Sequence, residues 1–242
     1  MLLENERLDL LIKESLSIIQ NDDVFSFSTD ALLLAHFTSL RRSDKVMDIC
    51  SGNGIIPLLL SHKTTMPIEA IEIQSKLVDM ARRSVQYNKR EEQICIHEMD
   101  IKDVKQHFTP SQFNVVTCNP PYFRANQNYQ HLKEAHRIAR TELMCTFEDC
   151  VAAANHLLKQ GGKMVVVQRA DRLVDVLYAM RLKGIEPKVI YPVYSSPKKS
   201  QAITVIVEGI KGGKPDVKVM SPFYIYDINH EYSQEMQEVY YG

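Results

Sequence analysis

The chain has 242 residues, 45% of them hydrophobic, which is enough for one large α/β domain; 29 Lys+Arg balance 30 Asp+Glu to a net charge of −1, which argues against a protein that simply coats nucleic acid. Its longest apolar runs fall far short of a membrane span and its N-terminus lacks the basic start and apolar core of a secretion signal, so the expected location is the cytosol. Five cysteines, an odd number without a C-x-x-C pair or close Cys/His spacing, point neither to a disulfide framework nor to a zinc site, and Cys50, Cys95 and Cys118 are expected as small buried hydrophobes.

The first readable stretch, Leu8 to Gln20, fits a helix by its apolar spacing or a strand from Leu16 to Gln20, with a turn at Asn21-Asp22-Asp23. Ser28 or Thr29 then caps a helix running to about Phe37. Lys45 to Ile49 reads as a short buried strand, followed by Cys50-Ser51-Gly52-Asn53-Gly54 and an apolar helix from Ile55 to Leu60. The glycines let the backbone approach a ligand, and Pro57 suits a first helical turn. Taken alone, this turn fits an ordinary strand-to-helix connection equally well. A second strand, Ile68 to Ile73, carries Glu72 near its end, placed to accept both hydroxyls of a ribose or else to start a solvated helix. Ser75 to Arg90 has helical spacing, and a third strand, Ile94 to Met99, leads into Asp100, whose carboxylate is suited to an adenine amino group. Asp48, Glu72 and Asp100 thus sit at the carboxyl ends of three successive strands, the edge at which open parallel sheets bind ligands.

The fourth strand, Phe113 to Cys118, ends in Asn119-Pro120-Pro121-Tyr122. Two prolines fix two φ angles and remove two donors, and the residue ahead of each is pushed toward extended backbone, so the turn is stiff. A carboxamide and a bare carbonyl, both acceptors, suit an exocyclic amine with two N–H, while Tyr122 can lie over a flat ring. A long irregular stretch follows before a helix from Phe147 to Lys159, stopped by Gly161-Gly162. The fifth strand, Lys163 to Val167, and a helix from Asp171 to Leu182 continue the alternation expected of a parallel sheet with right-handed crossovers. Lys188 to Tyr194 and Ala202 to Glu208, joined by Pro197-Lys198-Lys199-Ser200 with no room for a helix, should pair antiparallel. A hinge-like stretch from Lys211 to Pro215 precedes a short terminal strand and a helix from Glu231.

On the turn from Asp48 to Gly54, Glu72, Asp100 and the Asn-Pro-Pro-Tyr tetrad, together with Phe27 to Ala35 and Asn229 to Ser233, the chain resembles the class I S-adenosylmethionine-dependent methyltransferases, and within them the bacterial tRNA adenine-N6 methyltransferases acting on a valine tRNA. The resemblance implies a Rossmann-like, doubly wound, mostly parallel seven-stranded sheet with an antiparallel C-terminal strand pair. It implies one methyltransferase domain, with a hairpin and lid helix in 1–40 and a catalytic core in 44–242. The hairpin's second strand would be Val24 to Phe27, and the helix behind it would cap the methionine end of the cofactor, with Thr29 and Asp30 near it; the same cap and charged first turn also serve a helix that is merely stabilised. The implied cofactor site comprises Thr29, Asp48, Ser51, Gly52, Asn53, Gly54, Glu72, Ile73, Asp100, Ile101 and Asn119. Cys50 stands where the fuller family pattern has its first glycine.

The implied chemistry is direct methyl transfer to an adenine amine in tRNA, with Asn119, Pro120, Pro121 and Tyr122 as the catalytic set and no metal. The Asn119 oxygen and Pro120 carbonyl would draw both amine hydrogens, and positioning of this kind supplies about 7–11 kcal/mol in favourable cases without a dedicated base. Tyr122 would stack on the base; Phe123 helps it or belongs to the core. Arg124, Lys133, Arg137 and Arg140 after the tetrad, and Lys198 and Lys199 in their turn, are the candidate RNA-binding cations, each also readable as a solvated surface charge. Release-factor glutamine methyltransferases and ribosomal guanine-N2 methyltransferases carry a similar tetrad. The former add an N-terminal helical domain for which about forty residues ahead of the first cofactor strand are too few, as DNA adenine methyltransferases add a target-reading domain. Tyr122 in place of phenylalanine favours adenine over guanine, and a non-catalytic RNA-binding protein would have no need of the rigid amine clamp.

Overall fold

The computed structural model of the protein describes residues 2–21, 28–120 and 145–242. Its first two strands, β1 (Glu6–Leu11) and β2 (Leu16–Asn21), form an antiparallel hairpin in which Leu11 faces Leu16. The chain reverses at 12–15, where Ser15 takes a φ of +53° and its N–H bonds the Ile12 carbonyl at 3.2 Å; of the turn expected at Asn21-Asp22-Asp23, Asn21 is the last residue of β2 and the other two lie outside the described residues. Leu8 to Leu11 and Leu16 to Gln20 are strand rather than helix. The apolar spacing there misled because β2 is covered on both faces, Leu16 and Ile18 entering one core cluster and Ile19 another with Leu77 and Met80. Val24 to Phe27 lies outside the described residues.

Helix α1 (Thr29–Phe37) follows as expected, then β3 (Val46–Ile49), α2 (Ile55–Leu60), β4 (Ile68–Glu72), α3 (Ser75–Tyr87), β5 (Ile94–Glu98), a 3-10 turn at Ile101–Asp103, α4 (Val104–His107) and β6 (Phe113–Cys118). After 145 come α5 (Phe147–Leu157), β7 (Leu158–Arg169), α6 (Leu173–Leu182), β8 (Ile185–Tyr194), β9 (Thr204–Lys211), the two-residue strands β10 (Lys218–Val219) and β11 (Phe223–Tyr224), and α7 (Gln234–Tyr240). Helix α5 stops two residues short of the expected Lys159. The Gly161-Gly162 pair is a bulge inside β7 rather than a helix stop: the pairing with β6 slips between Phe113 and Val115, and a Cβ on Gly162 would lie 2.9 Å from the Lys159 carbonyl oxygen.

The strands run in the order β5-β4-β3-β6-β7-β9-β8. The first five are mutually parallel, and β9 lies antiparallel between β7 and β8, as the sequence led one to expect. To these seven the structure adds β10 and β11, both parallel to β8, so the sheet has nine strands. Period-two alternation divides the core. Val46 and Val115 face a cluster with α1, α2 and α3, whereas Met47, Ile49, Val116 and Cys118 face one with α5 and α6. Strands covered on both faces explain their nearly unbroken apolar sequences. Among the described residues, no helix is long and apolar enough to cross a membrane.

Candidate active site at the carboxyl edge of the sheet

Register lines up the sequence-selected residues. Ile49 pairs with both Ile71 and Cys118, and Glu72 pairs with Glu98. Cys50, Glu72, the approach to Asp100 and Asn119 therefore leave four adjacent strands at one edge, the ligand edge of a doubly wound sheet.

The glycine turn is tightly specified. Cys50, Gly52 and Gly54 all take positive φ, at +59°, +59° and +83°. A Cβ on Gly54 would stand 2.9 Å from the Ala81 Cβ, so this glycine is needed for both its backbone angle and the close approach of α3. A Cβ on Gly52 would meet nothing within 4 Å, leaving an open face where a ligand can reach the backbone. Cys50 fills a backbone conformation that favours glycine.

Glu72 is buried, and its carboxylate accepts the Gly52 N–H at 2.9 Å through Oε2 and the N–H groups of Ile73 and Gln74, each at 3.0 Å, through Oε1. It thus binds β4 to the glycine turn, and burial raises its pKa against those backbone bonds. Asp48 is fully buried; Oδ1 accepts the Thr117 hydroxyl at 2.6 Å, while Oδ2 has no hydrogen-bond partner among the described residues. Burial pushes its pKa up to about 7 against the Thr117 bond and the nearby Ser51 hydroxyl, and the Glu72 carboxylate adds to the rise. Asn53 donates to the Ile19 carbonyl at 3.1 Å, tying the turn to the hairpin. Among the described residues, the Asn53 Oδ1 and Ser51 Oγ are, like Asp48 Oδ2, buried without a hydrogen-bond partner. Buried polar atoms without partners are uncommon and costly, so three around one glycine turn with an open face fit a cradle for a polar ligand.

The remaining residues divide. Asp100 caps the 3-10 turn, its Oδ1 accepting the Lys102 N–H at 2.9 Å, and Ile101 is buried beneath it. The Thr29 hydroxyl meets that of Tyr240, and Asp30 accepts the Thr204 hydroxyl at 3.2 Å, so α1 is docked on α7 and β9. Asn119 is half-buried and Pro120 buried at the end of β6. Lys198 and Lys199 are exposed in the β8–β9 connection, and this connection lies at the same edge because Thr204 pairs with Arg169 at the end of β7. Pro121, Tyr122, Phe123, Arg124, Lys133, Arg137 and Arg140 lie outside the described residues.

Residues 15–180 match the family model described as the methyltransferase small domain. The chain belongs to that family. Its fold is that of the class I S-adenosylmethionine-dependent methyltransferases. Two relatives, both named tRNA1(Val) (adenine(37)-N6)-methyltransferase, come from Flavobacterium psychrophilum and Aeromonas hydrophila. The first is 24% identical over 62% of this chain and 64% of its own length. The second is 28% identical over 81% of this chain and 89% of its own. A solved structure of a predicted O-methyltransferase from Agrobacterium tumefaciens shares the fold with a TM-score of 0.69 at 19% identity, covering 87% of this chain and 95% of that one.

Sequence reasoning about this methyltransferase missed its thiols. Cys95 is exposed, not buried as expected, because its side chain points out of β5, the edge strand. The other four converge beside the glycine turn: the Cys50 and Cys145 sulfurs each lie 3.9 Å from that of Cys150, and those of Cys50, Cys118 and Cys150 are mutually within 4.8 Å. Successive spacings of 68, 27 and 5 residues, read along the sequence, give no sign of this; only the register of β3 with β6 and the docking of α5 bring them together.

Proposed function

We propose that this chain transfers a methyl group to the exocyclic N6 amine of an adenine in tRNA, in the anticodon loop of a valine tRNA. The observation that carries this reading is the placement of Asn119 and Pro120 at the end of β6, one strand from a glycine turn whose buried polar atoms await partners. The names of the two relatives, one aligned over 89% of its length, supply the substrate class. When bound, S-adenosylmethionine supplies the electrophilic methyl. Ser51, Gly52, Asn53 and Gly54 hold the cofactor through the open face of the turn, Glu72 fixes that turn, and Ile73, Asp100 and Ile101 border the adenine end. Thr29 stands at the lid.

The amine lone pair is delocalised into the adenine ring. The Asn119 side-chain oxygen and Pro120 carbonyl each accept one amine hydrogen and turn the lone pair toward the donor. Tyr122 stacks on the extruded base, whose unstacking costs a few kcal/mol. Once the nitrogen is cationic its proton leaves to water, so no side chain needs a pKa matched to neutral pH. The whole chain then acts as one methyltransferase domain in the cytosol, with Arg124, Arg137, Arg140, Lys198 and Lys199 along the RNA.

The test is transfer of labelled methyl from S-adenosylmethionine to total tRNA from a strain lacking the gene, with release factor protein as a parallel acceptor and nucleoside mass analysis. N6-methyladenosine in tRNA supports the reading. Label in the protein replaces it with glutamine methylation, and label in neither acceptor refutes tRNA as the substrate.

A further inference from the structure

The four converging cysteines come from three places in the chain: Cys50 in the glycine turn after β3, Cys118 as the last residue of β6, and Cys145 and Cys150 on either side of the α5 N-terminus. Four thiolates at Zn–S bonds of about 2.3 Å in a tetrahedron place their sulfurs roughly 3.8 Å apart. The two sulfur separations of 3.9 Å match that edge, and the Cys118 sulfur lies within 4.8 Å of those of Cys50 and Cys150. Cys50 also holds a φ of +59°, a conformation that strains a residue with a Cβ, and such local strain concentrates where a side chain has work to do.

We propose that Cys50, Cys118, Cys145 and Cys150 form a binding site for one soft divalent metal ion, with zinc the best fit to four sulfur ligands in tetrahedral array. The ion is structural. It joins the glycine turn, the strand that delivers Asn119 and the helix after residue 144, so the two halves of the edge are clamped through Cys50 and Cys118, the residues that directly precede Ser51 and Asn119. On binding, each thiol gives its proton to solvent and no electron is transferred. The positive end of the eleven-residue helix α5 faces the anionic cluster. Asp149, in the same turn, has its carboxylate engaged by the Thr146 N–H at 2.9 Å and hydroxyl at 2.9 Å. A second group with ligand spacing, Glu69, Cys95 and His97, is the competitor, and there the Glu69 carboxylate already pairs with His97 at 2.7 Å.

The experiment titrates Co2+, and then Zn2+, into reduced, chelator-stripped full-length protein. The expected result is one equivalent of Co2+ with sulfur-to-metal charge-transfer bands and intense tetrahedral d–d absorption, displaced by one equivalent of Zn2+, which raises the melting temperature. Cys150→Ser, which removes the sulfur common to both 3.9 Å contacts, should abolish the bands. Half-buried Cys145→Ser should weaken binding at least tenfold with an unchanged far-ultraviolet circular dichroism spectrum, which separates loss of a ligand from loss of fold. Cys95→Ser should bind as wild type. Absence of thiolate bands from the wild type, or bands that survive Cys150→Ser and vanish in Cys95→Ser, would overturn the assignment. So would a loss of two hydrogens in air without metal uptake, which would make the cluster a disulfide switch.

Discussion

Asp48 shows how much a single buried carboxyl can shape the behaviour of the edge. Its pKa in the folded protein, about 7, stands above the ordinary 3.8 because burial disfavours the charge. The folded state therefore holds the proton more tightly than the unfolded chain does. The resulting stabilisation is fully present below pH 3.8 and is lost as pH rises through 7, a span worth at most about 4 kcal/mol. Asp48→Asn should flatten this part of the stability profile, so its urea midpoint should gain on wild type between pH 5 and about 8; parallel profiles would show that the carboxyl stays ionised in the fold. The two glycines of the turn separate fold from ligand by the same substitution. Gly54→Ala meets Ala81 at 2.9 Å on a φ of +83°, so overpacking of about 1–3 kcal/mol adds to about 1–2 kcal/mol of backbone strain. Gly52→Ala carries the backbone cost alone and projects a methyl into the open face. Calorimetry should show the larger melting loss for Gly54→Ala, and titration with S-adenosylmethionine the larger affinity loss, relative to stability, for Gly52→Ala.

Among elements, the hairpin is coupled to the glycine turn, the proposed cofactor site, and to α3. Asn88 accepts the Ser17 N–H at 2.9 Å and donates to the Ser17 carbonyl at 2.6 Å, while the Ser84 hydroxyl accepts the Ile19 N–H at 3.0 Å. The Ile19 carbonyl in turn holds Asn53. Asn88→Ala leaves two strand groups without partners at about 1–3 kcal/mol each, so hydrogen exchange across 16–21 should accelerate and cofactor affinity should fall although Asn88 is remote from the turn. Protection unchanged over 16–21 would break this chain of coupling. The hairpin was also the least legible element. Leu16, Ile18 and Ile19 are all buried because β2 lies between two packed layers, and a strand of that kind loses the alternation that distinguishes it from a helix. By contrast β3, α2, β4 and α3 were legible, since glycines, Pro57 and the acids punctuate them with turn chemistry that leaves few choices. Asn53 was legible as part of the turn, but its bond to Ile19 was not, because that depends on a tertiary neighbour 34 residues away. The thiol cluster was invisible for the same reason.

At the scale of the whole molecule, a net charge of −1 means that the proposed RNA substrate would be engaged through a local patch rather than a general field. The edge that carries Asn119 separates two tasks, and kinetics should separate them too: Asn119→Ala should lower transfer by at least about a hundredfold while largely retaining cofactor affinity, whereas Glu72→Gln, which disturbs three backbone N–H bonds, should lose the cofactor first. Equal losses of cofactor affinity in both would undo that division. The patch itself can be dissected at the β8–β9 turn. Lys198 is partly committed, donating to the Ile228 carbonyl at 2.8 Å and so tying the turn to the C-terminal segment. Lys199 is exposed beside it, and among the described residues only its backbone N–H is used, bonding the Ser196 carbonyl at 3.0 Å. A phosphate contact adds close to one unit to the slope of log affinity against log salt. Lys199→Ala should therefore reduce that slope for tRNA by about 1 with cofactor affinity unchanged, while Lys198→Ala should also loosen the segment around Ile228 and lower thermal stability. A slope that stays the same in Lys199→Ala would remove this turn from the RNA path and assign the phosphate contacts to cations elsewhere on the edge.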